Sequence, residues 1–141
     1  MAQERTLGLI KPDAVANNHI GNIVKRVVDE GFTIVALRML RMSKATAEQF
    51  YDVHADKPFY GELTDYMSSG PCVAMVLEAD GAIVKWRDLM GATNPEKAAE
   101  GTLRKLYAES FTMNATHGSD APETAAREIS FFFATSEIFG R

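Results

Sequence analysis

The spacing of apolar residues divides the first part of the chain into alternating strands and helices. Residues 6–10 form an apolar run that predicts a strand, which Pro12 ends because proline cannot donate to a sheet ladder. Apolar residues recur at helical spacing over residues 20–28 with charged residues between them, so a core-facing amphipathic helix is expected there. Residues 32–42 then alternate between two faces, which predicts a half-buried strand. One face of that strand carries Val35, Leu37 and Met39.

The middle of the chain predicts a helical hairpin followed by a buried strand. Ser43 is placed to cap the first helix of the hairpin, and a second helix follows Pro58. Residues 73–77 are continuously apolar, so they are expected to form a central strand that is buried on both faces. Helical spacing returns over residues 83–90, and a short helix is expected over residues 103–107.

The last part of the chain predicts a strand over residues 113–116 and a helix over residues 121–134. Asp120 is followed three residues later by Glu123, which is a capping-box pattern for the start of that helix. His117 is then expected in a glycine-hinged turn between the strand and the helix.

This order of elements predicts an α/β (α+β) fold of the ferredoxin-like βαββαβ type. Such a fold is a four-stranded antiparallel sheet with helices packed on one face. Periodicity alone leaves a small doubly wound sheet open as an alternative.

Composition narrows the class of protein. The 141 residues fit a single domain, 1–141. A net charge of -4 argues against a broad basic face, so no specific nucleic-acid partner is expected. The one cysteine, Cys72, cannot form an intrachain disulfide. No signal peptide and no apolar run of membrane-spanning length is visible, which predicts a cytoplasmic protein without a membrane partner.

The residues around His117 indicate a nucleophile that faces an anion. The unpaired N–H groups at the start of the last helix would stabilise a phosphate beside His117. Glu128 lies far enough into that helix to accept an imidazole N–H and to fix which ring nitrogen stays free. From these residues alone, a histidine that satisfies a strand-end carbonyl is an equally good interpretation.

A bound nucleotide would have to be held by side chains. The chain has neither a phosphate-binding Gly-x-x-x-x-Gly-Lys-Ser/Thr loop nor a Gly-x-Gly-x-x-Gly after a strand. Three cations lie at element ends or near loops, and each of them taken singly is better explained as an ordinary surface charge: Lys11, Arg87 and Arg104.

The stretch from Asn114 to Asp120, together with Glu128, resembles the active-site signature of nucleoside diphosphate kinases. Other pieces of the family pattern occur in the family's order and spacing over nearly the whole chain. These pieces are Lys11–Ala14, Lys57–Tyr60, Ser69–Pro71, Gly91–Pro95 and Gly101–Arg104.

The resemblance implies a role for each matching residue. His117 is expected to accept and return the γ-phosphoryl group. The matching nucleotide-binding positions are Lys11 and Asn114 for the ribose hydroxyls, with Lys11 also near the transferred group, Arg87, Thr93 and Arg104 for the phosphates, and Phe59 for the base. The supporting positions are Glu128 on the second ring nitrogen of the histidine, Tyr51 beside that histidine, and Ser119 near Glu128. His54 matches a phosphate-contacting position that is histidine in only some members.

The resemblance also implies helices added to the ferredoxin-like sheet, and a ping-pong reaction. ATP or another nucleoside triphosphate would phosphorylate His117, and a nucleoside diphosphate would take the group up. Mg²⁺ is expected on the β and γ oxygens of the nucleotide, with no metal ligands from the protein. Members of this family are homo-oligomers, and the short C-terminal tail resembles that of bacterial members, which are often tetramers rather than hexamers. The resemblance therefore implies a homo-oligomer, with a tetramer favoured over a hexamer.

Two other functions remain as alternatives at this stage. A non-catalytic ferredoxin-like nucleotide-binding or regulatory module would use the same sheet without a nucleophile. A serine hydrolase built from Ser119, His117 and Asp120 is disfavoured, because neighbouring residues cannot form a relay and the Gly-x-Ser-x-Gly elbow is missing.

Overall fold

The computed structural model describes residues 3–141. Within this range, four strands form one antiparallel sheet in the order β2-β3-β1-β4. The strands are β1 (Glu4–Ile10), β2 (Thr33–Leu40), β3 (Cys72–Ala79) and β4 (Thr116–Gly118). This is the strand order of the ferredoxin-like fold, so the predicted fold class is confirmed.

Helices cover both faces of the sheet, whereas the ferredoxin-like order of elements by itself predicts helices on one face and only the added helices account for the other. The helices are α1 (Pro12–Ala16), α2 (Ile20–Asp29), α3 (Lys44–Phe50), α4 (Tyr60–Met67), α5 (Ala82–Met90), α6 (Leu103–Tyr107) and α7 (Pro122–Phe132). Side chains of α2 and α5 pack with one face of β3, and side chains of α3, α4 and α7 pack with the other. The second layer exists because the strand β3 is apolar on both faces, and Cys72 is buried within it as plain core.

The edge strand β2 departs from the predicted alternation. A register shift between Ile34 and Ala36 marks a β-bulge, and both Val35 and Ala36 are buried. The prediction that Val35, Leu37 and Met39 form one buried face is therefore wrong. Val35 is buried, but Leu37 and Met39 are 54% and 58% exposed.

The last strand begins later than predicted. Strand β4 starts at Thr116, so His117 lies within the strand, paired with Leu9 of β1, and not in a turn after it. Gly118 also belongs to the strand. A Cβ atom at Gly118 would lie 2.4 Å from Trp86, so the glycine is required for close packing and does not act as a hinge.

Helix α7 begins one residue later than the capping box requires. Its N-cap is Ala121 with Pro122 in the first turn, and no side chain caps it. The carboxylate of Asp120 instead accepts a hydrogen bond from the hydroxyl of Thr124 at 2.6 Å. Over the described ranges, no helix is long and apolar enough to span a membrane.

Candidate active site

A cavity of about 420 Å³ opens between the α3–α4 hairpin, strand β4, the segment before β4 and the start of α7. All the predicted site residues except Ser119 line it: Lys11, Tyr51, Phe59, Arg87, Thr93, Arg104, Asn114, His117 and Glu128. Ser119 is buried behind the wall, where it contacts Glu128. His54 also lines the cavity. The structure thus brings together residues that are spread over most of the chain.

His117 presents its ring to this cavity from strand β4. The side chain is 20% exposed, and its Nε2 atom lies 3.0 Å from Oε1 of the buried Glu128. The hydroxyl of Ser119 donates to the same carboxylate oxygen at 2.8 Å and accepts the backbone N–H of Leu7 at 3.3 Å. The carboxylate is therefore held by a second donor and cannot swing away from the ring without losing it.

The imidazole of His117 is kept neutral at pH 7. Burial lowers its pKa from the ordinary value of 6.5, and the positive charges of Lys11 and Arg104 lower it further against the opposing effect of Glu128. Since the carboxylate accepts from Nε2–H, the lone pair lies on Nδ1. A neutral imidazole with a fixed tautomer is a competent nucleophile.

Two aromatic rings brace this histidine. Phe50 and Tyr51 meet the His117 ring edge-on, with centroids 5.3 Å and 6.0 Å away. The Tyr51 hydroxyl is buried and has no hydrogen-bond partner among residues 3–141. Burial raises the pKa of Tyr51, and Glu128 raises it further, so this hydroxyl stays protonated. It is available to donate to a ligand in the cavity.

Lys11 follows strand β1 and is almost completely buried. Its ammonium donates to Oδ1 of Asn114 at 2.8 Å, and the amide group of Asn114 donates in turn to the carbonyl of Thr93 at 3.4 Å. Burial, and then repulsion by Arg104, lower the pKa of Lys11 to about 7, while Asp13 opposes the change. An anion in the cavity would restore its charge.

Arg104 is a buried cation with a fixed orientation. Its guanidinium donates to the carbonyls of Gly91 at 3.1 Å and Thr116 at 2.9 Å, and its Nε finds no partner in the described part of the chain. Burial, and then the nearby Arg87, lower the pKa of Arg104 to about 10. Arg87 extends from α5 and is exposed. Three cations line one cavity, and none of them forms an ion pair with a carboxylate within residues 3–141, which suits a polyphosphate.

The mouth of the cavity is aromatic. Phe59 and Phe111 line it and are 41% and 59% exposed. The sequence prediction included Phe59 and missed Phe111, whose signal was a lone aromatic in the polar stretch before Asn114. Two exposed rings at the mouth are suited to stacking against a planar group.

The carboxylates in this cavity are poorly placed to bind a metal by themselves. Glu128 is engaged by His117 and Ser119, and the exposed Asp120 accepts from Thr124. No group of three or more His, Cys, Asp or Glu side chains within residues 3–141 has the geometry to hold a metal ion.

Comparison with known proteins gives a consistent result. The family model for nucleoside diphosphate kinase matches residues 4–138. The nucleoside diphosphate kinase of Desulfatibacillum aliphaticivorans is 61% identical over 137 residues, which cover 97% of this chain and 99% of that protein. That of Burkholderia multivorans is 57% identical over the full length of both.

Solved structures agree with these sequence matches. The nucleoside diphosphate kinase of Aquifex aeolicus superposes with a TM-score of 0.95 at 44% identity, over 97% of this chain and 99% of that one. A halophilic nucleoside diphosphate kinase from Halobacterium salinarum, in complex with CDP, has a TM-score of 0.95 at 38% identity, over 99% of this chain and 93% of that one.

Proposed function

Since this chain belongs to the nucleoside diphosphate kinase family, and is a phosphotransferase of that kind, we propose that its catalysis runs through a phosphohistidine at His117. A nucleoside triphosphate donates its γ-phosphoryl group to the ring, and a nucleoside diphosphate then removes it. The observation that carries the proposal is the contact of Nε2 with Glu128 at 3.0 Å, in a cavity that also holds Lys11 and Arg104.

In the first half-reaction, the Nδ1 lone pair of His117 attacks the γ-phosphorus. A bond forms between Nδ1 and phosphorus, and the bond from phosphorus to the bridging oxygen breaks, so its electron pair leaves on the diphosphate. The ring keeps its Nε2 proton and becomes positively charged. Glu128 accepts that N–H and stabilises the charge, because opposite charges in hydrogen-bond contact favour each other.

The cations of the cavity stabilise charge on the phosphate oxygens. Lys11, Arg87 and Arg104 point at the polyphosphate, and charge-assisted hydrogen bonds of this kind are worth about 1.5 to 3 kcal/mol each. Tyr51, whose buried hydroxyl has no partner within residues 3–141, donates to the same group, and Asn114 and Thr93 complete the binding of the sugar and the phosphates. In the second half-reaction, another diphosphate attacks the phosphohistidine and the same bonds are exchanged in reverse.

The base is held at the mouth of the cavity. Phe59 stacks on it, and stacking is tolerant of base identity because every base has a π-face. One site can therefore serve ATP and the other nucleoside triphosphates and diphosphates as alternating substrates.

We also propose three features of the working enzyme. Mg²⁺ would be held mainly by the phosphates of the nucleotide and not by protein side chains, and the chemistry that it would supply is neutralisation of phosphate charge. The enzyme is a homo-oligomer, with a tetramer favoured, and the exposed Leu37 and Met39 on β2 are side chains that another copy would cover. It works in the cytoplasm, where its unpaired cysteine stays reduced.

The bond to the histidine is the decisive test. The protein is incubated with γ-labelled ATP and Mg²⁺ and then freed of nucleotide. We expect label that is lost in acid, survives alkali, and is released by an added nucleoside diphosphate as the matching triphosphate. A phosphoserine at Ser119 would behave in the opposite way, since it survives mild acid and is eliminated by strong base. Acid-stable label, or label that diphosphates cannot discharge, would refute the proposal.

A further inference from the structure

The residue two positions before the candidate nucleophile has a strained backbone. Ala115 has φ 73° and is completely buried. The N–H of Thr116 donates across it to the carbonyl of Asn114 at 2.8 Å. A positive φ with a hydrogen bond between residues i and i+2 defines the rare and strained form of the γ-turn. Side chains with a Cβ avoid this conformation, so other contacts must hold Ala115 in it.

This turn connects the two parts of the candidate active site. Asn114 lies on one side of the turn and accepts a hydrogen bond from the ammonium of Lys11. His117 follows on the other side, in strand β4. The carbonyl of Ala115 accepts the backbone N–H of Lys11 at 2.8 Å. The turn therefore sets the position of His117, the candidate nucleophile, relative to the ammonium of Lys11 and the side-chain amide of Asn114, which face the same cavity.

Asp13 holds the turn. Its Oδ2 atom accepts the backbone N–H of Ala115 at 3.1 Å, in a buried contact. Tyr66 of α4 donates its hydroxyl to Oδ1 of the same carboxylate and accepts the backbone N–H of Asp13 at 3.0 Å. Burial, together with this hydrogen bond, raises the pKa of Tyr66 well above its usual value, so the hydroxyl remains a donor.

We propose that Asp13 and Tyr66 are positioning residues, which keep the strained turn at Ala115 closed and thereby align His117 with Lys11 and Asn114. Neither residue lines the cavity. The inference rests on the proposed role of His117, because alignment matters only if that histidine attacks the phosphate. A misplacement of a reacting group by about 1 Å can cost about 100-fold in rate.

The main test is the Asp13→Ala variant of the full chain, made with and without Ala115→Gly. Asp13→Ala is expected to lower kcat by about 10- to 100-fold, with a smaller change in KM, because the turn opens. Glycine takes positive φ without a Cβ penalty. In the Ala115→Gly background, the loss of kcat caused by Asp13→Ala should therefore be smaller by about 5- to 10-fold. Loss of the Asp13 charge beside Lys11 would not be relieved in this way.

Tyr66→Phe provides a milder route if Asp13→Ala does not fold. It removes only the hydroxyl, and its loss of kcat should again shrink in the Ala115→Gly background. The matched control is Tyr60→Phe on the same helix, which removes a hydroxyl that donates to the carbonyl of Glu48 at 2.9 Å, outside this network. That control should lower thermal stability by a similar amount and leave kcat within about twofold of the parent.

A direct readout separates this inference from the proposed function. The amide proton of Ala115 should lose its downfield NMR shift and exchange faster in Asp13→Ala and Tyr66→Phe, whether or not the protein transfers phosphate. Unchanged Ala115 signals, an unchanged kcat in folded Asp13→Ala and Tyr66→Phe, or an undiminished loss in the Ala115→Gly background would each overturn the positioning role. If the proposed function is wrong, the failure would instead appear in the parent protein, which would not transfer phosphate between nucleotides and would not carry label on His117.

Discussion

Nε2 of His117 and Oε1 of Glu128 lie 3.0 Å apart, although the two residues are 11 positions apart in the chain and belong to the strand β4 and the helix α7. The carboxylate decides which ring nitrogen keeps its hydrogen, and it would face the positive charge that the ring acquires in the proposed phosphorylation. It therefore acts on the orientation and on the charge of the proposed nucleophile.

The Glu128→Gln variant should transfer phosphate slowly. An uncharged amide still occupies the space, but it stabilises the charged ring less and can present the wrong group to Nε2. We expect kcat to fall by about 10²- to 10⁴-fold, with a smaller effect on KM. Glu123→Gln, an exposed change in the first turn of the same helix, is the control and should be neutral. A raised KM with unchanged kcat would show that Glu128 serves binding.

His117→Ala should abolish phosphoryl exchange while nucleotide binding is retained. The cations and the aromatic mouth that hold the nucleotide remain, and the ring that is removed makes only edge contacts with Phe50 and Tyr51. Steady-state exchange between ATP and GDP, with calorimetric titration of ADP, measures the two properties separately. Exchange above a trace level in a preparation free of other kinases would remove His117 from the mechanism.

Arg87→Ala and Arg104→Ala should differ in stability more than in activity. Each would remove one of the proposed charge-assisted phosphate contacts, so each should lower kcat/KM by about 10- to 150-fold. Arg104 also donates to the carbonyls of Gly91 and Thr116. Only Arg104→Ala should therefore lower the free energy of unfolding, by about 1 to 3 kcal/mol. Urea unfolding measures the free energy of unfolding, and equal stability of the two variants would contradict the structural role of Arg104.

The pH dependence of kcat/KM should be bell-shaped and narrow. Protonated His117 cannot attack, so the rate should fall with pH below its lowered pKa, which lies under 6.5. Lys11 loses its proton near pH 7 in the free enzyme, so phosphate binding should weaken above that pH. Bound phosphate raises the pKa of Lys11, and the alkaline limb should lie at higher pH in the profile of kcat.

Lys11→Arg offers a check on that assignment. A guanidinium stays charged throughout the range, so the alkaline limb should move to higher pH in this variant. If the limb persists near pH 7, another group produces it.

Much of the fold was predictable because its signals are local. Helix α2 lies where the apolar spacing placed it, and the continuously apolar run around Val76 became the central strand β3. The candidate site was predictable for a different reason. A histidine, a glutamate and three cations in one family pattern specify chemistry, and the structure places Lys11 and Arg104 in the same cavity as His117.

The deviations come from tertiary contacts that no local pattern records. The bulge at Val35 turns Leu37 outward, against a regular alternation. The sequence predicts a hinge at Gly118 because glycine favours turns, whereas the role of this residue depends on Trp86 of a distant helix. Phe111 faces the cavity from an irregular segment without periodicity. The hydrogen bond that the backbone N–H of Ala115 donates to Asp13 joins residues that are 102 positions apart.

The close packing of Trp86 against Gly118 makes this tryptophan an intrinsic fluorescent probe of the candidate active site. Trp86 is the single tryptophan, it is fully buried, and its Nε1–H donates to the carbonyl of His117 at 3.1 Å. All tryptophan fluorescence therefore comes from Trp86, whose indole is hydrogen-bonded to the backbone carbonyl of His117, the proposed phosphate carrier. A change of charge on His117 alters the field at that indole, so the intrinsic fluorescence of the unlabelled protein should follow each half-reaction in real time.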